Sequence, residues 1–187
     1  MTMPSATIRL QTPDDQSALS YLNECAFGPG RFARTAYRVR ENAVRDPRLN
    51  FCMELDGEMV AAMDLTPVTV GDVPGALLLG PLIVSGEHKS LGHGLRLMLY
   101  GLKRAKDLGH RLVILVGDLP YYARAGFRPI PHGRIELPGP VDPARLLYAD
   151  LVPGALDEYS GVVRGVRVGP PVCADDAIDS AFPALVG

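Results

Sequence analysis

The stretch that decides the fold runs from Pro81 to Leu95 and reads PLIVSGEHKSLGHGL. The apolar residues up to Val84 predict a strand buried on both faces, and the loop that follows carries Gly92 and Gly94. From Leu95 onward, apolar residues recur three and four positions apart, which predicts a helix. Helix N-termini expose unpaired N–H groups at the positive end of the helix dipole. The loop is therefore predicted to bind an anion, and phosphate is the natural candidate.

Two well-known phosphate loops fit this stretch poorly. A Walker loop requires Gly-x-x-x-x-Gly-Lys-Ser/Thr, and no glycine precedes Lys89-Ser90 at the required position. A dinucleotide loop requires Gly-x-Gly-x-x-Gly, but Leu97 stands in place of the third glycine and no acid ends the next strand near Leu112. A nicotinamide-dependent oxidoreductase is therefore the third and least favoured function class.

A second motif follows the helix. An apolar strand over residues 112–116 leads into GDLPYYARAGF at residues 117–127. Lys-x-x-Gly-x-Gly at 89–94 resembles the pyrophosphate motif Gln/Arg-x-x-Gly-x-Gly/Ala of the GNAT superfamily, and residues 121–127 resemble its aromatic-Tyr-x-Lys/Arg-x-Gly-Phe segment. Lys89 and Ser90 depart mildly from the usual pattern. The junction at 117–122 and LVPGAL at 151–156 are similar to the YhbS-like branch of bacterial GNAT proteins. The resemblance covers about residues 7–163.

The order of elements predicts a mixed α+β fold and not a doubly wound sheet. The resemblance implies a GNAT-like, mostly antiparallel twisted sheet with flanking helices and a splayed central strand pair. Residues 1–168 are expected to form a single domain and 169–187 a C-terminal tail, loose beyond about Arg164. The expected strands span 6–10, 49–55, 59–70, 76–84, 112–116, a segment from 127 and 146–152, and the expected helices span about 12–28, 31–46 and 95–108.

Composition excludes several function classes. The 187 residues are 47% hydrophobic and 21% charged, with a net charge of -2, so neither a nucleic acid nor a membrane is an expected partner. The excess of Lys and Arg over residues 87–111 suits either a polyanionic ligand or a solvated helix face. Cys25, Cys52 and Cys173 form no CxxC pair, and the histidines lack metal-ligand spacing, so no metal is expected. No signal peptide or membrane-length apolar run is evident, which predicts a cytoplasmic protein.

The resemblance implies acetyl-CoA as the co-substrate. It places the main chain of the strand residues Leu82, Ile83 and Val84 along the pantetheine arm. The pyrophosphate would be held by the loop and helix start, at Lys89, Ser90, Leu91, Gly92, His93, Gly94 and Leu95. Arg124 occupies the basic position of the second motif and is expected either to meet a cofactor phosphate or to be an exposed arginine.

Catalytic roles also follow from the resemblance. Tyr122 matches the tyrosine that acts as general acid at the cofactor sulfur, with Tyr121 as its rival; a phenol of pKa about 10 suits that task. The sequence leaves the identity of the general base open. Asp118 is the nearest carboxylate in sequence, but it could instead cap the short helix that follows. Asp64, Glu54 and a chain of waters are the other candidates.

The resemblance implies an N-acetyltransferase that moves an acetyl group from acetyl-CoA to an amine by direct attack in a ternary complex. The alternative is a non-catalytic, acyl-CoA-binding regulatory module of the same fold. The acceptor would be a small-molecule or peptide amine, and dimers are common in the family, so a homodimer is one assembly to test. Arg31, Arg34 and Arg38 face either an acidic acceptor or solvent.

Overall fold

The computed structural model describes residues 6–28, 35–41 and 43–166. The helices of this part are α1 (Gln16–Phe27), α2 (Thr35–Glu41), α3 (His93–Asp107) and α4 (Leu119–Tyr122). The strands are β1 (Ala6–Leu10), β2 (Asn50–Leu55), β3 (Glu58–Val70), β4 (Val73–Val84), β5 (Leu112–Val116), β6 (Arg128–Pro129), β7 (Ile135–Glu136), β8 (Leu146–Asp150) and β9 (Gly161–Gly165).

One mixed sheet carries the fold. Its strands follow the order β1-β2-β3-β4-β5-β8-β6, and β9 joins β3 to β7 beside this path. The neighbours are antiparallel except for β4 with β5 and β7 with β9. The predicted mixed α+β class with a mostly antiparallel sheet is confirmed.

The central strands β4 and β5 separate after a short shared stretch. They pair in parallel only from Ala76 with Leu112 to Leu78 with Ile114. On its other side β4 stays paired with β3 as far as Val84, with two register shifts. At the one between Met63 and Leu65 of β3, Gly80 and Pro81 both lie opposite Asp64. From residue 79 onward β4 therefore has an open edge toward β5. This is the splayed pair that the resemblance implies.

The apolar run of β4 is explained by a core on each face of the sheet. Leu77 and Leu79 belong to one buried cluster, which α3 covers with Leu97 and Met98. The alternate residues of β4, including Leu78, belong to a second cluster. Because successive strand residues point to opposite faces, both sets must be apolar. This packing fixes the start of α3 beside the open edge of β4.

The start of α1 follows its sequence signal with one local difference. The Thr12 N–H donates to the Asp15 carboxylate at 2.7 Å, as in a capping box. Residues Pro13–Asp15 first form a 3-10 turn, and the α-helix begins only at Gln16. In the described part of the chain, no helix has the length and apolar character needed to cross a membrane.

Two sequence predictions about the fold are wrong. The second helix was expected to run to about Asp46, but α2 ends at Glu41 because the chain turns to bond the Val44 N–H to the Val166 carbonyl at 2.7 Å. No strand was predicted over residues 161–165, yet β9 pairs there with β3, as far as Gly165 opposite Val68. The positions of Arg31, Arg34 and Cys173, and the predicted tail over 169–187, lie outside the described residues.

Candidate active site

The loop before α3 presents a row of unpaired amides, which we call the α3 head: the main-chain N–H groups of residues 90–95. Within the described residues no hydrogen bond uses any of these six groups, and the first bond of the helix runs from the Arg96 N–H to the Gly92 carbonyl at 3.0 Å. No side chain caps the helix. Ser90 and Gly92 have φ values of 65° and 84°, the left-handed turns that curl the loop. The α3 head thus has the geometry of an anion-binding loop.

Tyr121 closes one side of the α3 head. A Cβ built on Gly94 would lie 2.4 Å from the Tyr121 hydroxyl oxygen and 3.1 Å from a methyl group of Val84. Burial raises the pKa of Tyr121, and the positive charge of Arg124 opposes that rise. Arg124 and Lys89 are exposed, and neither forms an ion pair with another described residue. Two unpaired cations therefore stand near the free amides.

The predicted cofactor residues form one continuous path. Leu82 and Val84 are partly buried and Ile83 is buried, all on the stretch of β4 that faces no strand on its β5 side. A single 3-10 turn over Gly86–His88 connects this edge to the α3 head. The structure thus brings together the strand residues and the loop residues that the sequence marked.

A cavity opens where β4 and β5 separate, and we call it the Tyr122 cavity. Its volume is about 560 Å³, and it lies between α1, α2, the Leu79 to Leu82 stretch of β4, the end of β5 and a loop over residues 140–145. Tyr122 lines this cavity, whereas Tyr121 does not. The two tyrosines, rivals on sequence grounds, therefore have different surroundings.

The Tyr122 ring is held tightly. It packs edge to face on Tyr121, with ring centroids 5.0 Å apart, and on Phe127 at 5.8 Å. A Cβ built on Gly117 would lie 2.1 Å from a ring carbon of Tyr122. Only glycine leaves room for the ring at this position, so Gly117 fixes where the hydroxyl points.

The environment keeps the Tyr122 phenol protonated. Burial, together with the nearby Tyr121 and Asp118, raises the pKa of Tyr122 to about 12. The cations Arg145 and Arg40 act in the opposite direction. At neutral pH the group is therefore a proton donor.

Asp118 does not make the predicted cap bond. It occupies the N-cap position of α4, where its main-chain carbonyl accepts from Tyr121 N–H at 3.0 Å, but its carboxylate caps no helix amide. The carboxylate lies 3.2 Å from Arg145 Nε instead, with 78% of the side chain exposed. Asp118 lines the Tyr122 cavity and so faces the same space as Tyr122.

The other two candidate bases lie elsewhere. Glu54 accepts from Arg9 Nε at 2.9 Å and does not line the Tyr122 cavity. Asp64 lines a second cavity of about 320 Å³ and accepts from the Gln11 side chain at 2.8 Å. Burial raises the pKa of Asp64.

Sequence reasoning missed the second half of the cavity wall. Arg40 and Arg145 both line it, as do Pro140 and Val141. Arg40 lies in an arginine-rich stretch, and nothing in its spacing separates it from exposed Arg38. These residues come together through tertiary packing, which no local pattern encodes.

Comparisons with known proteins agree with this geometry. The model of the "Acetyltransferase (GNAT) family" matches residues 16–127. The chain is 28% identical over 132 residues to the uncharacterized N-acetyltransferase YjhQ of Escherichia coli K12, covering 69% of this chain and 73% of that protein.

Solved structures give the same result. The E. coli GNAT protein YhbS in complex with CoA superposes with a TM-score of 0.77 at 23% identity, over 88% of this chain and 92% of that one. A GNAT acetyltransferase from Brucella melitensis in complex with acetyl-CoA gives 0.56 at 25% identity, over 82% and 99%. With a family model matched from α1 through the second motif, the chain belongs to the acetyltransferase (GNAT) family.

Proposed function

We propose that this protein binds acetyl-CoA along the open edge of β4 and transfers the acetyl group directly to an amine held in the Tyr122 cavity. One observation carries the proposal. The unpaired edge of β4 leads at one end to the free amides of the α3 head, and at the other to a cavity lined by Tyr122. The acetyl group of the cofactor and the amine of the acceptor would thus meet at the gap between β4 and β5.

The residues present fit the cofactor. Six N–H groups at the positive end of α3, unpaired within residues 6–28, 35–41 and 43–166, suit a pyrophosphate. Lys89 and Arg124 form no ion pair in the same part of the chain and are available for further phosphate oxygens. The main chain of residues 82–84 offers the unpaired groups of a strand edge to the amides of a pantetheine arm. YhbS and the Brucella protein were crystallised with CoA and acetyl-CoA, which supports this assignment.

Acetyl transfer requires proton movements at two atoms. The amine must lose a proton, and the sulfur of the leaving group must gain one. We assign the second task to Tyr122, because this residue lines the cavity, its phenol is protonated at neutral pH, and its ring is fixed by packing on Gly117. Tyr121, whose hydroxyl lies against Gly94, is assigned to shaping the α3 head.

We assign the removal of the amine proton to Asp118, which would accept it directly or through a water molecule. It is one of two carboxylates that line the Tyr122 cavity, and the other, Asp142, accepts the Ala144 N–H at 2.9 Å. The pairing with Arg145 holds the Asp118 carboxylate at the cavity rim. Replacement of Asp118 by Asn should therefore lower kcat with little change in acetyl-CoA affinity.

The alternative is a module that binds acyl-CoA without turnover. The ion pair between Asp118 and Arg145 favours it, because a carboxylate held against a cation is less available to contact the amine. Under this alternative, acetyl-CoA raises the melting temperature but no amine releases CoA thiol.

The Tyr122→Phe variant tests the enzyme proposal. CoA thiol release with a panel of amines should fall by about 100-fold or more in kcat, while the Kd of acetyl-CoA by calorimetry stays nearly unchanged. Tyr121→Phe is the matched control, since it removes the same atom from the neighbouring ring. Equal losses in both variants would reject Tyr122 as the proton donor, and an absence of CoA binding by folded protein would reject the function.

A further inference from the structure

Arg40 lies at the centre of the acceptor side. It projects from α2 over the register shift of β4, where a Cβ built on Gly80 would lie 2.8 Å from Arg40 Nη2. It lines both the Tyr122 cavity and the second cavity, as Pro81 also does. The guanidinium therefore lies beside the stretch of β4 that leads to the gap between β4 and β5, where the acetyl group is proposed to meet the amine.

This guanidinium lacks a partner in the described part of the chain. Its Nε is fully buried and makes no hydrogen bond, and no ion pair to another described residue involves Arg40. Burial lowers the pKa of Arg40 to about 10, so the side chain is still cationic at neutral pH. The Arg40 side chain as a whole is partly buried, and a buried N–H of a cation without a hydrogen-bonding partner is costly, so proteins seldom retain such a group without a functional reason.

The neighbouring acids are engaged elsewhere. Asp118 pairs with Arg145, and Asp142 accepts the Ala144 N–H. Asp64, in the second cavity, accepts from Gln11 and lies 3.7 Å from Arg45. Each of these carboxylates thus bonds another donor. The charge of Asp64 favours the cationic form of Arg40 from a distance, but among the described residues no carboxylate bonds the guanidinium.

We propose that Arg40 receives an anionic group of the acceptor, so that the acceptor is an amine that also carries a carboxylate or a phosphate. A guanidinium presents a planar set of N–H donors that matches both anions, and Arg40 makes none of these bonds within the described residues. The anion would anchor on Arg40 while the amine points toward Tyr122 and the open edge of β4. This inference rests on the proposed function, since it names the substrate class of the same site.

The test compares matched amines. Free α-amino acids are measured against their amides, and phosphoethanolamine against ethanolamine, by CoA thiol release and by calorimetry on CoA-saturated protein. The wild type should favour the anionic member of at least one pair roughly 10- to 100-fold in kcat/KM, mainly through KM. The amino acid pairs report a carboxylate acceptor, and the ethanolamine pair reports a phosphate acceptor.

Variants of Arg40 decide whether this residue is responsible. Arg40→Met keeps the stem and removes the charge, so the preference should fall to about one while the Kd of acetyl-CoA is unchanged. Arg40→Lys should retain part of the preference. Arg38→Met, an exposed arginine on the same helix, is the control and should behave as wild type.

Stability separates ligand binding from a structural role. Removal of an unpaired buried cation should leave the melting temperature of Arg40→Met equal or higher, whereas a structural arginine would lower it. A lowered melting temperature, equal use of acids and amides, or a preference unchanged in Arg40→Met would each overturn the inference. Should acetyl-CoA bind but no amine react, calorimetric binding of the acids that weakens in Arg40→Met would support it, and no binding would reject it. Failure of acetyl-CoA binding would count against the proposed function alone.

Discussion

Gly117→Ala should displace the Tyr122 ring and slow catalysis. The added Cβ would lie 2.1 Å from one ring carbon and 2.7 Å from the next, and ordinary contact begins at 3.4 Å. The ring must therefore withdraw by about 1.3 Å or more, or the end of β5 must shift. Misplacement of a reacting group by 1 Å costs roughly 100-fold in rate, and overpacking costs about 1–3 kcal/mol in the free energy of unfolding.

The assay is steady-state CoA thiol release together with urea unfolding. We expect kcat to fall roughly 100-fold with the Kd of acetyl-CoA little changed. Gly86→Ala is the matched control, since a Cβ there meets nothing within 4 Å. In a Tyr122→Phe background, Gly117→Ala should cost little further rate, because the hydroxyl that it displaces is already gone. Full activity in Gly117→Ala, or an undiminished loss in the double variant, would refute the reasoning.

Two further predictions concern stability. Gly94→Ala should lower the free energy of unfolding by about 1–3 kcal/mol, and Tyr121→Phe should restore most of it by removing the oxygen 2.4 Å from the new Cβ; urea midpoints of both variants and the double variant check this. Asp15→Asn should lose about 1–3 kcal/mol at pH 7. Hydrogen bonds from Arg9 hold the pKa of Asp15 far below its usual value, so this stability is present above about pH 4 and is lost as the pH falls. The stability difference between the two proteins should therefore narrow steadily as the pH falls below about 4, and a difference that stays constant from pH 7 to pH 2 would contradict the assignment.

Local patterns predicted the parts of the fold that depend on short-range physics. The apolar run of β4 reflects burial on both faces of the sheet, and the apolar stripe of α3 reflects burial on one face of the helix. The bounds of both elements therefore differ little from expectation. The strand β9 was missed because its partner, β3, lies about 90 residues earlier in the chain. Pairing at that distance leaves no mark in a five-residue segment.

The candidate site divides in the same way. The α3 head could be predicted because glycines, a preceding strand and a following helix are consecutive in sequence. The choice between Tyr121 and Tyr122 could not, since adjacent residues share every local signal and differ only in what they contact. Tyr121 meets Gly94, whereas Tyr122 meets Gly117 and the cavity.

The sequence by itself determined that a buried strand runs into an anion-binding helix start, and that a tyrosine pair follows the next strand. These features are contiguous, and their backbone geometry follows from residue type alone. Only the tertiary structure decided that β4 and β5 part after Leu78, and that Arg40 lies over Gly80 beside the resulting cavity without a partner among the described residues. Whether a charge is buried and unmatched depends on every group that surrounds it, and those groups come from segments far apart in the chain.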